Sequence, residues 1–395
     1  MRRVASPVRA NWRARAEEAG FAFHTIDGEP YWDESAYYAF TLREIEEDIE
    51  APTEELHGMA LDLVDDVVRD ERHMRALEIP EPFWDLVARS WRERDPHLYG
   101  RMDFAYDGRG PAKLYELNYD TPTSLYEAAF FQWQWLDDLQ RSGRLPASTD
   151  QYNSIQECLV EAFGTIARLL PRPFHFAAVR DSIEDQGTVA YLRDCAAQAG
   201  LEAGELAIED IGISADGRYT DLDDRVIGTL FKLYPLEDLF REEFGRYLPR
   251  SRMLLIEPPW KAILSNKGIL PLLWRKHPRH PNLLPAEFDD GAALQPGWVR
   301  KPLHSREGAN IEMHMPDGDR VVSDGPYDGP CIRQALHPLA EFDGHRALLG
   351  SWVVGDRACG LGIREDRSPI TRDTARFVPH VIEDGVQAAD AVLVA

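Results

Sequence analysis

A chain of 395 residues with 68 Asp and Glu against 44 Lys and Arg, a formal net charge of -24 and 44% apolar residues has the composition of a soluble globular protein of two or three domains, and excludes disordered and collagen-like structure. The negative excess also argues against a nucleic-acid partner, because a polyphosphate backbone needs clustered positive charge; it favours cations or amines instead. Four scattered cysteines without a CxxC pair suggest neither a zinc knuckle nor a disulfide framework, and no apolar run approaches the length of a membrane span, so a cytoplasmic protein with no membrane partner is expected.

In chain order, three segments are expected: 1–145, 146–255 and 256–395. In the first, residues 31–98 read as helical, with acidic amphipathic stretches such as LREIEEDIE and EELHGMALDLVDDVVRDERHM whose charges are mostly solvated faces. After Leu98 the period changes. RMDFAYD, GRGP and AKLYELNYD read as strand, turn and strand of a β-hairpin. Side chains two apart on a strand share a face, so Arg101 and Asp103 are expected together, and Glu116, Asn118 and Asp120 together, with Tyr115, Leu117 and Tyr119 opposite. Oxygen donors without His or Cys suit Mg²⁺ that is also held by substrate phosphates. The alternative is a solvated hairpin face with a structural Arg–Asp ion pair. TPTSLYE then supplies Thr121, Thr123 and Ser124 ahead of an aromatic-rich helix reaching about Leu139, where hydroxyls either cap the helix or line a substrate pocket.

Past a polar connector at 144–150, the second segment alternates helix (152–170), strand (FHFAAV), helix (TVAYLRDCAAQAG) and strand (GELAIEDIGI), which predicts a small parallel-sheet unit. No GxGxxG follows its first strand, so dinucleotide binding is unsupported there. In the third segment lysine usage becomes informative, because only six of the 44 basic residues are Lys. A retained Lys marks a place where a compact ammonium on a flexible stem is wanted, as at phosphates. Lys267 precedes an apolar helix, and Lys301 is held extended by Pro302. The loop HSREGAN, with Gly308, is either a hairpin turn or a cover whose backbone N–H groups approach phosphate. Residues 352–364 read as two antiparallel strands ending in Arg364, which either holds a phosphoryl group or pairs with Glu365 or Asp366. His380 reads as packed rather than as a base. Lys232, after an apolar run, is open.

Taken together, GRMDFAYD, YELNYDTPTSLYE, LFKLYP, EPPWKAILSNKGILPLLW, VRKPLHSREGAN and GSWVVGDRACGLGIRED followed by ITRDTARFVPH resemble the synthetase domain of the glutathionylspermidine synthase family. The resemblance implies an α/β (α+β) fold of ATP-grasp type, circularly permuted, with a small parallel-sheet pre-ATP-grasp unit. It implies ATP and Mg²⁺ as cofactors, with Asp103, Glu116 and Asn118 as metal ligands. Arg101 would contact the transferring phosphate and Arg364 the acyl phosphate. Lys267, Lys301 and Gln334 would hold the nucleotide under a cover made by Arg306, Glu307, Gly308 and Asn310. Thr121, Thr123 and Ser124 would lie near the carboxylate substrate, where the family often has serine, so substrate identity stays open. Bifunctional members carry an additional amidase domain for which this chain has no room, so only the ligase half is expected. The function implied is an ATP-dependent carboxylate–amine ligase acting through an acyl phosphate, its partners a small-molecule or peptide carboxylate and an amine of polyamine-like type. The alternative is a non-catalytic nucleotide-binding module with a regulatory or assembly role.

Overall fold

The computed structural model describes residues 1–26 and 28–383; residues 384–395, the end of the third expected segment, lie outside the described residues. The expected hairpin is the edge of a six-stranded antiparallel sheet. Strands Tyr99–Ala105 and Lys113–Asn118 pair, and the sheet runs on through His345–Val354, Arg357–Asp366 and Arg376–Val378, with Glu341–Phe342 added beside His345–Val354. Strands from the first and third segments therefore share one sheet. Within the hairpin Arg101 lies opposite Asn118 and Asp103 opposite Glu116, and then the register shifts so that Phe104 pairs with Leu114. This bulge leaves Tyr115 unpaired in the ladder and re-aims its side chain.

A second sheet of five antiparallel strands has the order Ala286–Phe288, Cys331–Ala335, Trp298–Pro302, Glu312–His314 and Arg320–Val322. The loop HSREGAN joins the paired strands Trp298–Pro302 and Glu312–His314, so it is a hairpin connection. A third sheet is wholly parallel, in the order Leu254–Ile256, Thr229–Leu233, Phe174–Ala178 and Gly204–Ala207. Its strands FHFAA and TLFKL are buried throughout, as strands covered on both faces must be. Helix Ile183–Gln198, started by Ser182, whose Oγ accepts from the Asp185 N–H at 3.3 Å, provides the crossover that a parallel pair requires. The expected parallel unit is thus present.

One expectation fails at the start. Residues 31–98 are not helical throughout: Ala36–Phe40 is a strand, antiparallel to Arg2–Ala5 and parallel to His380–Ile382. All five of its residues, AYYAF, are buried, so it shows none of the alternation that identifies a half-exposed strand. Helix begins only at Glu44, as a π-helical turn over Glu44–Glu50 that continues into Ala51–Val67. That helix buries Leu56, Met59, Ala60, Leu63, Val64 and Val67, a 3–4 spacing that makes one apolar stripe, each large side chain contributing roughly 2 kcal/mol. The stripe packs on strands His345–Val354 and Arg357–Asp366, and the Thr53 hydroxyl donates to Ser351 Oγ at 2.8 Å. This packing fixes the back of the sheet whose other residues form the site.

Candidate functional site

A cleft opens between the six-stranded and five-stranded sheets. Asp103, Tyr115, Glu116, Leu348 and Arg364 enter it from the first, and Val299, Lys301, Met313 and Gln334 from the second. Its lining is mostly apolar, with Val299, Ile311, Met313, Leu339, Leu348 and Ile370, and it also carries Glu116, Lys267 and Lys301. A largely apolar cleft with a few convergent charged groups is the form of a small-molecule site.

In this cleft one carboxylate faces two ammonium groups. Lys267 Nζ lies 3.0 Å from Glu116 Oε2 and also donates to the Ser305 carbonyl. Lys301 is 8% exposed; its Nζ donates to Gln334 Oε1 at 2.7 Å and to the Tyr115 carbonyl at 3.3 Å, and sits 5.0 Å from the Tyr115 ring centroid. Burial opposes the Glu116 charge, but Lys267 and Lys301 overcome it and hold the carboxyl at about 2. Lys301 is pulled the other way, to about 8, by burial and by the Lys267 charge against the attraction of Glu116. Both directions follow from a net positive trio, which favours its carboxylate and disfavours its second ammonium. Such a trio is completed by an anion.

Arg101 and Asp103 do share a face, as a two-point ion pair of 2.6 and 3.0 Å, with Asp103 1% exposed. The guanidinium also donates to the Thr123 carbonyl at 2.6 Å. It crosses over Gly350, where an added Cβ would stand 2.7 Å from Arg101 Cδ. Asn118 Nδ2 donates to Asp103 Oδ2 at 3.1 Å and Glu116 Oε1 at 3.4 Å, so its own oxygen is uncommitted. Among the described residues no group of three or more His, Cys, Asp or Glu is arranged to hold a metal ion. Two carboxylates and an amide oxygen fit a hard divalent cation only as part of a shell that phosphate oxygens complete.

Two expectations about this hairpin are corrected. Asp120 does not join Glu116 and Asn118: the strand ends at Asn118, and Asp120 turns away to pair with Lys232 at 2.5 Å and to accept from the Leu236 N–H at 2.7 Å. Tyr115 does not stay with Leu117 and Tyr119: the bulge carries it to the cleft, while Tyr119 is buried and bonded to His57 Nδ1 at 2.9 Å.

Arg364 also lines the cleft. The two carboxylates that could have neutralised it are taken, Glu365 by Arg3 at 2.9 Å and Asp366 by Arg372 at 3.2 Å, and among the described residues Arg364 makes no ion pair. In the HSREGAN loop, Arg306 donates to Thr121 Oγ1 at 2.8 Å and pairs with Glu237. Glu307, Gly308 and Asn310 have φ of 53°, 71° and 54°. At Gly308 a Cβ would stand 2.4 Å from the Thr371 carbonyl oxygen, so only glycine fits. Asn310 Oδ1 accepts from the Tyr327 N–H at 2.8 Å. Of the hydroxyl residues, none caps the following helix by its side chain. Thr123 contributes its carbonyl, and the Ser124 hydroxyl meets that of Tyr31 at 2.8 Å.

Beside the two arginines stands a set of acids that the sequence reading passed over. Glu127 is 0% exposed, and among the described residues neither carboxylate oxygen has a hydrogen-bond partner of good geometry, the Tyr31 hydroxyl being the polar group that faces it. Burial pushes it up to about 7, against the pull of the Tyr31 hydroxyl and then of Arg101 and Arg364. Glu184 is pushed up to about 8 by burial and by the charges of Glu127, Asp185 and Glu307. A lone Glu inside the apolar run SLYEAAFFQW was the available signal, because a carboxylate surrounded by apolar neighbours in a helix has to be buried. Lys232 and Lys261 are buried struts, the latter 2.6 Å from Glu257. His380 is packed as expected, its Nε2 accepting from the Tyr152 N–H at 3.2 Å.

Comparison with known proteins gives the family to which the chain is similar. The family model described as glutathionylspermidine synthase preATP-grasp matches residues 3–383. A Haemophilus influenzae protein named "Putative acid--amine ligase" is 40% identical over 96% of this chain and 99% of its own length. Trypanothione synthetase of Crithidia fasciculata is 29% identical over 80% of this chain and 52% of its own. The bifunctional glutathionylspermidine synthetase/amidase of Escherichia coli is 26% identical over 89% and 60%. The chain thus spans between half and two thirds of those last two relatives. A solved glutathione synthetase-like effector from Globodera pallida has a TM-score of 0.57 at 10% identity, over 94% of this chain and 96% of its own; that likeness is one of fold. Among the described residues no helix is long and apolar enough to cross a membrane.

Proposed function

The chain belongs to the glutathionylspermidine synthase family, and on that premise we propose that it is an ATP-dependent ligase that joins a carboxylate to an amine through an acyl phosphate. The observation that carries the reading is the trio of Glu116, Lys267 and Lys301 in a cleft whose lining is otherwise largely apolar, a net positive centre suited to a polyphosphate. The fold is of ATP-grasp type, and the order of the metal hairpin ahead of the two lysines supports a circularly permuted form.

Lys267 and Lys301 hold the ATP phosphates, Gln334 fixes the Lys301 ammonium, and Arg306, Glu307, Gly308 and Asn310 cover them. Asp103, Glu116 and Asn118 would hold Mg²⁺, which supplies charge neutralisation on the phosphates when bound. Arg101, steadied by Asp103 and the Thr123 carbonyl, and Arg364, which has no ion partner among the described residues, face the phosphoryl group as it passes to the substrate carboxylate. Thr121, Thr123 and Ser124 border that carboxylate. The amine then attacks the acyl carbon and phosphate leaves. Catalysis is mostly positioning and charge neutralisation, consistent with a site that carries no activated Ser, Cys or His nucleophile. The unneutralised acids Glu127 and Glu184 favour a cationic amine of polyamine-like type. The protein works in the cytoplasm.

The test is ADP and phosphate release by the purified protein with ATP, Mg²⁺ and a panel of acids and amines. Amine-dependent ADP formation, reduced at least a hundredfold in Arg364→Ala, is the expected result. Tight ATP binding with no amine-stimulated turnover across a panel that includes glutathione and linear polyamines would instead mark a regulatory module.

A further inference from the structure

The parallel sheet carries a cavity of its own, which shares no lining residue with the cleft. Topology explains its place. Phe174–Ala178 comes first in the chain, the connection after it leads to Gly204–Ala207 on one side, and Thr229–Leu233 then returns to pair on the other. The strand order therefore reverses between Phe174–Ala178 and Thr229–Leu233, and the chain leaves the carboxyl ends of these two neighbours in opposite directions. Val179 and Tyr234, the residues that follow those ends, both line the cavity. A reversal of this kind opens the crevice in which parallel α/β sheets take up ligands.

The inner wall is apolar. Leu230 and Leu255 stand side by side in register on neighbouring strands, and Leu230, Leu248, Leu255 and Tyr219 are each 3% exposed. Lys232 belongs to the same wall, but its ammonium is paired with Asp120 at 2.5 Å, so it offers a ligand only its stem. The Tyr219 hydroxyl is likewise committed, donating to the Phe244 carbonyl at 2.6 Å. Toward solvent the lining changes character, because Glu209, Glu242 and Phe244 are exposed. Glu242 accepts from the Tyr234 hydroxyl and Glu209 from the Arg180 N–H at 3.3 Å, while the Arg180 guanidinium goes to Asp210. Among the described residues neither Glu209 nor Glu242 makes an ion pair, so the charge left over on this lining is negative.

We propose that the cavity binds a small primary amine with an apolar body, its hydrocarbon against the leucine wall and its ammonium at the Glu209 and Glu242 carboxylates. Charge decides against the other amphiphiles. A carboxylate of the same shape would meet two like charges and no unpaired cation, and an alcohol would forgo the ionic attraction. A polyamine without an apolar body would leave the leucine wall unfilled. The site stands apart from the ligase reading, since its lining includes none of Glu127, Glu184, Lys267 and Lys301.

The test is calorimetric titration of the full chain at pH 7 and low salt, with 2-phenylethylamine as the probe and 3-phenylpropionate and putrescine as comparators. One saturable site of millimolar affinity or better is expected for the amine, with 3-phenylpropionate at least tenfold weaker. Saturating ATP and Mg²⁺, or excess putrescine, should leave the amine affinity unchanged, because both belong to the cleft. Glu209→Gln combined with Glu242→Gln should weaken the amine at least tenfold and erase its advantage over the acid; both side chains are exposed, so the fold tolerates the change. An absence of saturable amine binding, equal affinity for the acid, an unaltered double variant, or displacement by ATP or putrescine would each overturn the proposal, and the wild-type titrations decide even without the variant.

Discussion

Buried lysines occur in two regions of this molecule, and burial alone does not tell them apart. Beside the parallel sheet, Lys232 meets Asp120 and Lys261 meets Glu257, one ammonium for each carboxylate. Backbone groups finish the job: Glu257 also accepts from the Leu98 and Tyr99 N–H groups at 3.1 Å, and Lys261 donates to the Tyr99 carbonyl at 2.6 Å. In the cleft, by contrast, Lys267 and Lys301 share Glu116. The first arrangement is closed and has nothing left to bind. The second carries surplus charge beside an open volume, and that surplus, rather than depth, is what marks a binding site.

The contrast breaks most visibly by truncation. Lys261→Ala strands the Glu257 carboxylate, and the expected loss is about 3–5 kcal/mol of unfolding free energy by urea titration. Replacing Lys261 and Glu257 together by apolar residues of similar size should recover most of it. A loss below about 1 kcal/mol for the single variant would show that the pair is not a strut. Lys301→Ala tests the other side. ATP affinity should fall about a hundredfold, near 3 kcal/mol, while stability at pH 7 stays level or rises. The sign follows from Lys301 being held at about 8 in the fold, below its usual value near 10.5: the cost of its charge is fully present below pH 8 and relieved as pH rises toward 10.5. Calorimetry with ATP and parallel melts separate the two effects.

How much of this was open to sequence reading depends on the range of the contacts. Arg101 with Asp103 and Glu116 with Asn118 are pairs two apart on a strand, so alternation alone placed them. Asp120 looked like the next member of that series, and only the end of the strand at Asn118 and a partner 112 residues away exclude it. Arg364 was equally undecidable, because whether Glu365 and Asp366 are free depends on Arg3 and Arg372. Four of the six Lys proved to be buried or cleft-lining, so the scarcity of lysine marked positions set apart from the ordinary surface. It could not say which of them were struts. That distinction lies in counting carboxylates around each ammonium, which needs the fold.

Glu127 extends the comparison to the opposite sign, a buried carboxylate with no cation bonded to it. Its pKa is pushed from about 4.5 to about 7 by burial, with the Glu184 charge nearby and Tyr31, Arg101 and Arg364 the other groups that face it. Between those values the folded protein binds more protons than the unfolded chain, so stability falls as pH rises through this range and the penalty is complete above about pH 8. Glu127→Gln should therefore match wild type at pH 4 and exceed it at pH 8 by on the order of 2 kcal/mol in urea unfolding. If a polyamine is the amine substrate, spermidine at pH 8 should raise the wild-type melting temperature more than that of Glu127→Gln. Equal shifts would separate the acids from amine recognition.

The smallest effect belongs to a pair that spans the two regions. Arg306, on the cover loop, reaches Glu237 at the edge of the parallel-sheet unit and Thr121 beyond the metal hairpin. Its planar fork serves both acceptors at once; an ammonium on a shorter polar head serves one. Arg306→Lys keeps the charge that neutralises buried Glu237, so the fold should be unaffected, but it gives up the bond to Thr121, about 1 kcal/mol. Because the three residues of positive φ in the loop hold it in a single shape only while it is tethered, the expected result is a fivefold weaker ATP affinity and faster proteolysis confined to residues 304–310. Unchanged proteolysis with weakened ATP binding would mean that Arg306 touches the nucleotide directly, and unchanged values of both would mean that Glu237 alone holds the cover down.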